Sequence, residues 1–272
     1  MNSLSKYRYL ITRRAVQIGI LFLFFASNKW GFDILQGNLS FSKVLGIVPL
    51  SDPFALLQML FAGAVVGMDV FVGAVIVIVF YSVVGGRVFC SYVCPMNMVT
   101  DAAHYLREKT SLSKVQKKQF VSNKIRYWVL ALSLLLSAIF GVAAFEFVSP
   151  ISMLHRNVIF GFGFGGFAVL VVFLFDLLVL KNGWCGHICP LGAFYSLLGK
   201  ASLVRVRYDN QKCTVCMECK KVCPEPDVLH TIGRESSQIL SGACLNCARC
   251  IEVCEDEALD FSIRDFIKKD KI

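Results

Sequence analysis

Eight cysteines between Cys213 and Cys254 decide the chemistry of the C-terminal part of this chain before any fold is considered. They read Cys213-Thr-Val-Cys216-Met-Glu-Cys219-Lys-Lys-Val-Cys223-Pro224 and, after a gap, Cys244-Leu-Asn-Cys247-Ala-Arg-Cys250-Ile-Glu-Val-Cys254. A [4Fe-4S] cubane needs four thiolates, and C-x2-C-x2-C wraps the chain round three of them while the fourth cysteine of each run serves the other cluster. On that rule one cluster takes Cys213, Cys216, Cys219 and Cys254, and the other takes Cys223, Cys244, Cys247 and Cys250. Zinc ribbons use two separated C-x2-C knuckles rather than three cysteines in one tight run. Glu255 stands where the second run would carry its proline, which removes a stiffener of the turn but no ligand.

The chain as a whole is too apolar for a soluble protein: of 272 residues 56% are hydrophobic and 17% charged, against about 45–50% and about 25% usually. This is the composition of a membrane protein. The net charge of +9 falls beside apolar spans, where basic residues set orientation, so nucleic acid is not an expected partner. All twelve cysteines lie in spaced motifs, which leaves none for a structural disulfide and asks for a reducing compartment round the thiolate ligands.

Apolar runs predict four spans. The first is Ala15 to Ala26, prolonged through Trp30 towards Leu35 and read as uncleaved because no small-residue cleavage site follows. Phe54 to Phe89 exceeds one crossing of ~20 residues, so Phe54 to Val66 is placed at the interface and Val70 to Phe89 across the membrane. Trp128 to Phe147 and Val158 to Leu180 complete the set, and residues 36–52 read as a polar, turn-rich loop. Arg87, Arg107, Lys109, Lys114, Lys117, Lys118, Lys124 and Arg126 crowd the loop after the second span, whereas Lys29, Lys43 and Arg156 are the basic residues on the other side. That asymmetry puts both termini and the cysteine-rich tail in the cytoplasm.

Spans two and four end alike, in Phe89-Cys90-Ser-Tyr-Val-Cys94-Pro95 and Trp184-Cys185-Gly-His-Ile-Cys189-Pro190. C-x3-C sets two thiols one helical turn apart, and Cys90, Cys94, Cys185 and Cys189 are candidates for a further metal or redox site, or else small buried residues at a helix end. The glycines of Gly161-Phe-Gly163-Phe-Gly165-Gly166 have no strand before them and read as helix packing, not a phosphate loop. Asp69 reads as a boundary charge, and Asp176 as a partner of Lys181. Glu146, His155 and Arg156 are interfacial polar residues and candidate proton acceptors for a quinol.

These residues, from Cys90-Ser-Tyr-Val-Cys94-Pro95 through Gly183-Trp184-Cys185-Gly186-His187-Ile188-Cys189-Pro190-Leu191-Gly192-Ala193-Phe194-Tyr195 to the double cysteine run, resemble the NapH family of membrane ferredoxin-type proteins over essentially the whole chain. The resemblance implies a quinol dehydrogenase role with quinol as substrate, a periplasmic multi-cluster ferredoxin partner of the NapG kind, and nitrate reductase downstream. The expected fold is an all-α polytopic membrane protein of the bacterial inner membrane: a four-span helical bundle, two repeats of two spans, with a C-terminal cytoplasmic two-cluster ferredoxin-like α+β domain. Its divisions are a tail at 1–14, the membrane domain at 15–200 and the iron-sulfur domain at 201–272. The competing reading keeps the two [4Fe-4S] clusters but makes the protein a membrane-bound redox sensor or metal-handling assembly factor.

Overall fold

The structure is a computed structural model that describes residues 7–31, 34–110, 122–161 and 163–265. Lys114, Lys117 and Lys118 of the basic loop and Phe162 of the glycine-rich stretch lie outside the described residues.

The four-span, all-α expectation is overturned. Among the described residues one helix, α1 (Arg8–Trp30), is long and apolar enough to cross a membrane. Its 23 residues rise about 35 Å, against a hydrocarbon core of about 30 Å. The other apolar helices, Met68–Val84, Ile125–Phe140 and Gly165–Val179, fall short of that length. Hydropathy counted apolar residues, but backbone breaks divide the runs. The stretch from Phe54 becomes α2 (Pro53–Phe61) and α3 (Met68–Val84), with Gly63 at φ 73 between them. After α4 (Met96–Lys109), the next run becomes α5 (Ile125–Phe140) and a short α6 (Ala144–Val148), separated by Gly141 at φ 65. The last is cut at Gly161, φ 94, into α7 (Pro150–Phe160) and α8 (Phe164–Leu174). Glycine reaches positive φ without steric cost and is the common residue just past a helix end.

The expected loop at 36–52 is instead an antiparallel meander of β1 (Leu35–Gly37), β2 (Phe41–Val44) and β3 (Val48–Ser51), with Ser42 opposite Leu50. Asn38 Oδ1 holds the first turn by accepting the N–H groups of Ser40 and Phe41. Asp52 then caps α2, taking the Phe54 N–H at 3.1 Å, with Pro53 in the first helical turn.

The described chain forms two compact units, each discontinuous in sequence. One gathers residues 7–13, 80–92 and 195–265; the other holds 14–31, 34–79, 93–110, 122–161 and 163–194. In the first, strand β4 (Val204–Tyr208) lies between β5 (Ser237–Gln238) and β6 (Leu259–Ile263), antiparallel to both. Val206, Tyr208, Leu229, Ile232, Ile239 and Leu259 form its core together with Cys219 and Cys250. Each fully buried aliphatic side chain contributes roughly 1.5–3 kcal/mol. The start of α1 docks there: Tyr9 packs edge-on against Phe261, and the Leu10 N–H reaches Glu252 at 2.8 Å. Gly86 is required by close approach, since a Cβ would fall 2.0 Å from the Tyr195 carbonyl oxygen.

The second unit leaves much apolar surface open. Phe71 and Val75 on α3, Trp128 and Leu135 on α5, and Phe167 and Leu170 on α8 are all exposed, faces that a water-soluble monomer does not normally leave uncovered on this scale. Asp69 pairs with Lys43 at 2.8 Å at an exposed site. Gly165 admits α7 against α8, where a Cβ would stand 3.1 Å from the Met153 carbonyl oxygen.

Candidate iron-sulfur sites

Both cysteine runs adopt the same backbone. In the first, Val215 and Met217 take φ of 59 and 63; in the second, Asn246 and Ala248, at the same places, take 48 and 61. Left-handed residues flanking the middle cysteine turn successive N–H groups inward, as anion-binding loops do. The Val215 N–H points at Cys213 Sγ, 3.3 Å away, and Asn246 makes the equivalent bond to Cys244. The third cysteine of each run then enters a short helix, α10 (Glu218–Val222) or α11 (Arg249–Glu252), and is buried.

This folding produces two cavities. Cys213, Cys216, Cys219 and Cys254 line one; Cys223, Cys244, Cys247 and Cys250 line the other. The fourth cysteine of each run therefore borders the cavity of the opposite run. Among the described residues no three His, Cys, Asp or Glu side chains converge on a point that would suit a single metal ion. Four thiols spread round a cavity suit a cubane, in which each thiolate binds a different iron.

The electrostatics agree with that donor set. Burial pushes the Cys244 thiol up to about 11 and raises Cys223 and Cys250 well beyond their ordinary value. Bare thiols here hold their protons at neutral pH; ferric and ferrous iron supply the positive charge that displaces them. N–H donors offset part of the cost, from Lys220 to Cys219 and from Glu225 to Cys223.

Charges beside the two cavities differ. Arg205, buried, donates to the carbonyls of Gly199 (2.7 Å), Lys200 (3.0 Å) and Ser202 (3.0 Å) and adds positive charge near Cys244. Glu225 borders the same cavity and is paired at 2.6 Å with Arg87, both almost wholly buried. Arg87 also donates to the Ala243 carbonyl at 3.0 Å. At the other cavity, Asp256 accepts the N–H and hydroxyl of Thr214 at 2.8 and 2.7 Å. That carboxylate fastens the turn after Cys254, the stiffening role proline has after Cys223. Sequence reading named Arg87 only as a basic loop residue and singled out none of Arg205, Glu225 and Asp256; the Gly85-Gly86-Arg87 triplet ahead of Cys90 was the signal available for the buried role of the first.

The two C-x3-C-P motifs also share one local form. Each is a five-residue π-helical turn, Phe89–Val93 or Trp184–Ile188, followed by the second cysteine and a proline opening a helix, α4 or α9 (Pro190–Leu198). Such π turns recur at functional sites. Cys94 and Cys189 are buried, Cys90 and Cys185 half-buried. Cys90 belongs to the first unit and Cys94, Cys185 and Cys189 to the second. Asp176 is buried, and its Oδ1 accepts the Trp184 N–H at 2.9 Å, holding the start of the second motif. Arg126 donates to the Gly186 carbonyl at 3.2 Å inside that motif.

A sheet carrying two thiol-lined cavities, with an N-terminal helix able to cross a membrane, defines an iron-sulfur electron-transfer protein of the ferredoxin type. Residues 66–113 and 162–208 each match the family described as "4Fe-4S binding domain", and residues 205–255 match the "4Fe-4S dicluster domain". Over 262 residues the chain is 43% identical to the ferredoxin-type protein NapH of Haemophilus influenzae, covering 94% of this chain and 90% of that one. It is 46% identical over 244 residues to the methylamine utilization ferredoxin-type protein MauN of Paracoccus denitrificans, with 89% and 85% covered. With NapH of Escherichia coli the identity is 40% over 262 residues, covering 95% and 90%. The chain belongs to the family of NapH and MauN ferredoxin-type proteins. No solved structure matches it.

Proposed function

We propose that this protein is the membrane component of a quinol dehydrogenase. It takes electrons from membrane quinol through two [4Fe-4S] clusters and delivers them, with a periplasmic multi-cluster ferredoxin subunit of the NapG kind, towards periplasmic nitrate reductase. One cluster is assigned to Cys213, Cys216, Cys219 and Cys254, the other to Cys223, Cys244, Cys247 and Cys250. The observation that carries this reading is the sorting of eight thiols into two cavities of four, each crossing between the runs. Two one-electron centres match the two electrons a quinol releases. The relatives' names attach MauN to methylamine utilization, so the electron-transfer step is common ground, and nitrate reductase is the acceptor proposed for this chain.

The iron-sulfur domain, residues 201–272, and both chain ends are assigned to the cytoplasmic side of the inner membrane. Arg8, Arg13 and Arg14 at the start of α1 against Lys29 at its end support that orientation. The exposed apolar faces of α3, α5 and α8 support contact with lipid.

The test is an anaerobic titration of the purified protein with a reduced quinol analogue, with and without the periplasmic ferredoxin. Loss of iron-sulfur absorbance on adding quinol, restored by quinone, is expected. Clusters that respond to dithionite but never to quinol, even with the partner, would refute quinol oxidation and favour the sensor or assembly-factor role.

A further inference from the structure

The second unit contains a cleft that no cysteine borders. Phe24, Ser27, Asn28, Asn38, His155 and Arg156 line about 420 Å³ of space, inside the range of roughly 300–1,000 Å³ typical of small-molecule sites. Phe24, Ser27 and Asn28 come from the last turns of α1, the membrane-crossing candidate; His155 and Arg156 come from α7, and Asn38 from the turn between β1 and β2.

His155 is the unusual member. Its side chain is only 3% exposed, and its Nε2 is buried without a hydrogen-bond partner. A buried polar atom left unpaired costs about 1–3 kcal/mol, and such atoms are rare unless something else uses them. The ring is held in place: Phe24 meets it edge-on at 4.7 Å between centroids. Burial and the neighbouring Arg156 lower its pKa to about 4, so the imidazole is neutral at physiological pH. His155 and Phe24 thus form the closed, buried side of the cleft, with the imidazole neutral, and Asn28 and Arg156 are exposed at its mouth.

The geometry points to this cleft as the binding site for the head group of a lipid-soluble hydroquinone or quinone, with one ring oxygen hydrogen-bonded to His155 Nε2 and the other reached by Asn28 or Arg156. A flat ring with oxygens at opposite ends uses both the apolar wall and the two polar ends. The position at the end of α1 suits a ligand that arrives from the membrane, and the exposed Trp30, stacked edge-on to Phe22 and Phe25, marks an interfacial aromatic patch there. The assignment rests on the quinol reading above and gives it a place.

Two measurements on the full-length, cluster-loaded protein separate the two ideas. In the first, duroquinone binding is followed by quenching of tryptophan fluorescence; in the second, duroquinol is titrated against iron-sulfur absorbance. For His155→Ala and for Arg156→Ala, an exposed position with little risk to folding, the duroquinone concentration for half-saturation should rise about tenfold or more, and the duroquinol needed for half-bleaching should rise with it. Dithionite should bleach every variant to the wild-type extent. If the wild type is bleached by duroquinol and both variants match it in both titrations, the cleft is not the site although quinol oxidation stands. If the wild type binds duroquinone saturably and the variants do not, yet no bleaching occurs, the cleft stands and quinol oxidation falls. Absence of saturable binding in the wild type overturns the site.

Discussion

Replacing Arg87 by Ala strands the Glu225 carboxylate in the protein interior, and the cost can be worked from the pair's geometry. The two groups meet at 2.6 Å with side-chain exposures of 1% and 2%. At that distance and an effective dielectric constant of about 20 their attraction is about 6 kcal/mol, most of it offset by the desolvation of both ions. The intact pair therefore adds little net stability, whereas removing one partner leaves an uncompensated buried charge and costs about 3–5 kcal/mol. Arg87→Ala also loses the bond to the Ala243 carbonyl, next to Cys244. The double variant Arg87→Met, Glu225→Leu should recover most of the loss, because nothing charged stays behind. The assay is urea unfolding of the solubilised protein in an anaerobic chamber, followed by iron-sulfur absorbance and far-UV circular dichroism, with the two single variants and the double variant forming a cycle. A loss below about 1 kcal/mol for Arg87→Ala, or a double variant no more stable than it, would refute the argument.

Four further outcomes are expected. Glu225→Gln keeps the Arg87 contact but removes a negative charge beside Cys223, so the potential of the adjoining cluster should rise on the order of tenfold in its reduction equilibrium, ~59 mV for one electron, while the other is unchanged by potentiometric titration. Cys219→Ser and Cys250→Ser should each abolish one cluster, seen as about half the wild-type iron and acid-labile sulfide, with the helical signal intact. Val215→Asn relieves a β-branched residue at φ 59, and differential scanning should show a gain of about 1 kcal/mol with full cluster content. His155 has its pKa lowered, so the folded state excludes a proton that the unfolded state takes up; its contribution is present above about 6.5 and is lost as pH falls towards about 4. The urea midpoint of the wild type should fall relative to that of His155→Phe over that interval.

Several features were legible without any fold. Cysteine spacings of two and three residues are local quantities, and the loop or turn that realises them follows from a few dihedral angles; this is why both runs, and both C-x3-C-P motifs, repeat the same backbone. The departure from proline at Glu255 was also visible, but its remedy was not, because Asp256 reaches Thr214 across a gap of 42 residues. The spans failed for a related reason. Apolar composition reports how much a segment avoids water, whereas helix length depends on where single residues such as Gly85, Gly141 and Gly161 take positive φ. The meander at 35–51 was missed because its short strands are stabilised by one another and carry little individual signal. The Arg87–Glu225 pair, the charges that distinguish the two cavities and the cleft at His155 bring together residues 138, 42 or 131 positions apart. The sequence by itself determined which atoms could bind iron, since thiolate chemistry and close spacing are written in the chain. Tertiary structure decided which charges and which unpaired ring nitrogen stand beside those atoms or apart from them, because burial and long-range pairing exist only once the chain has closed on itself.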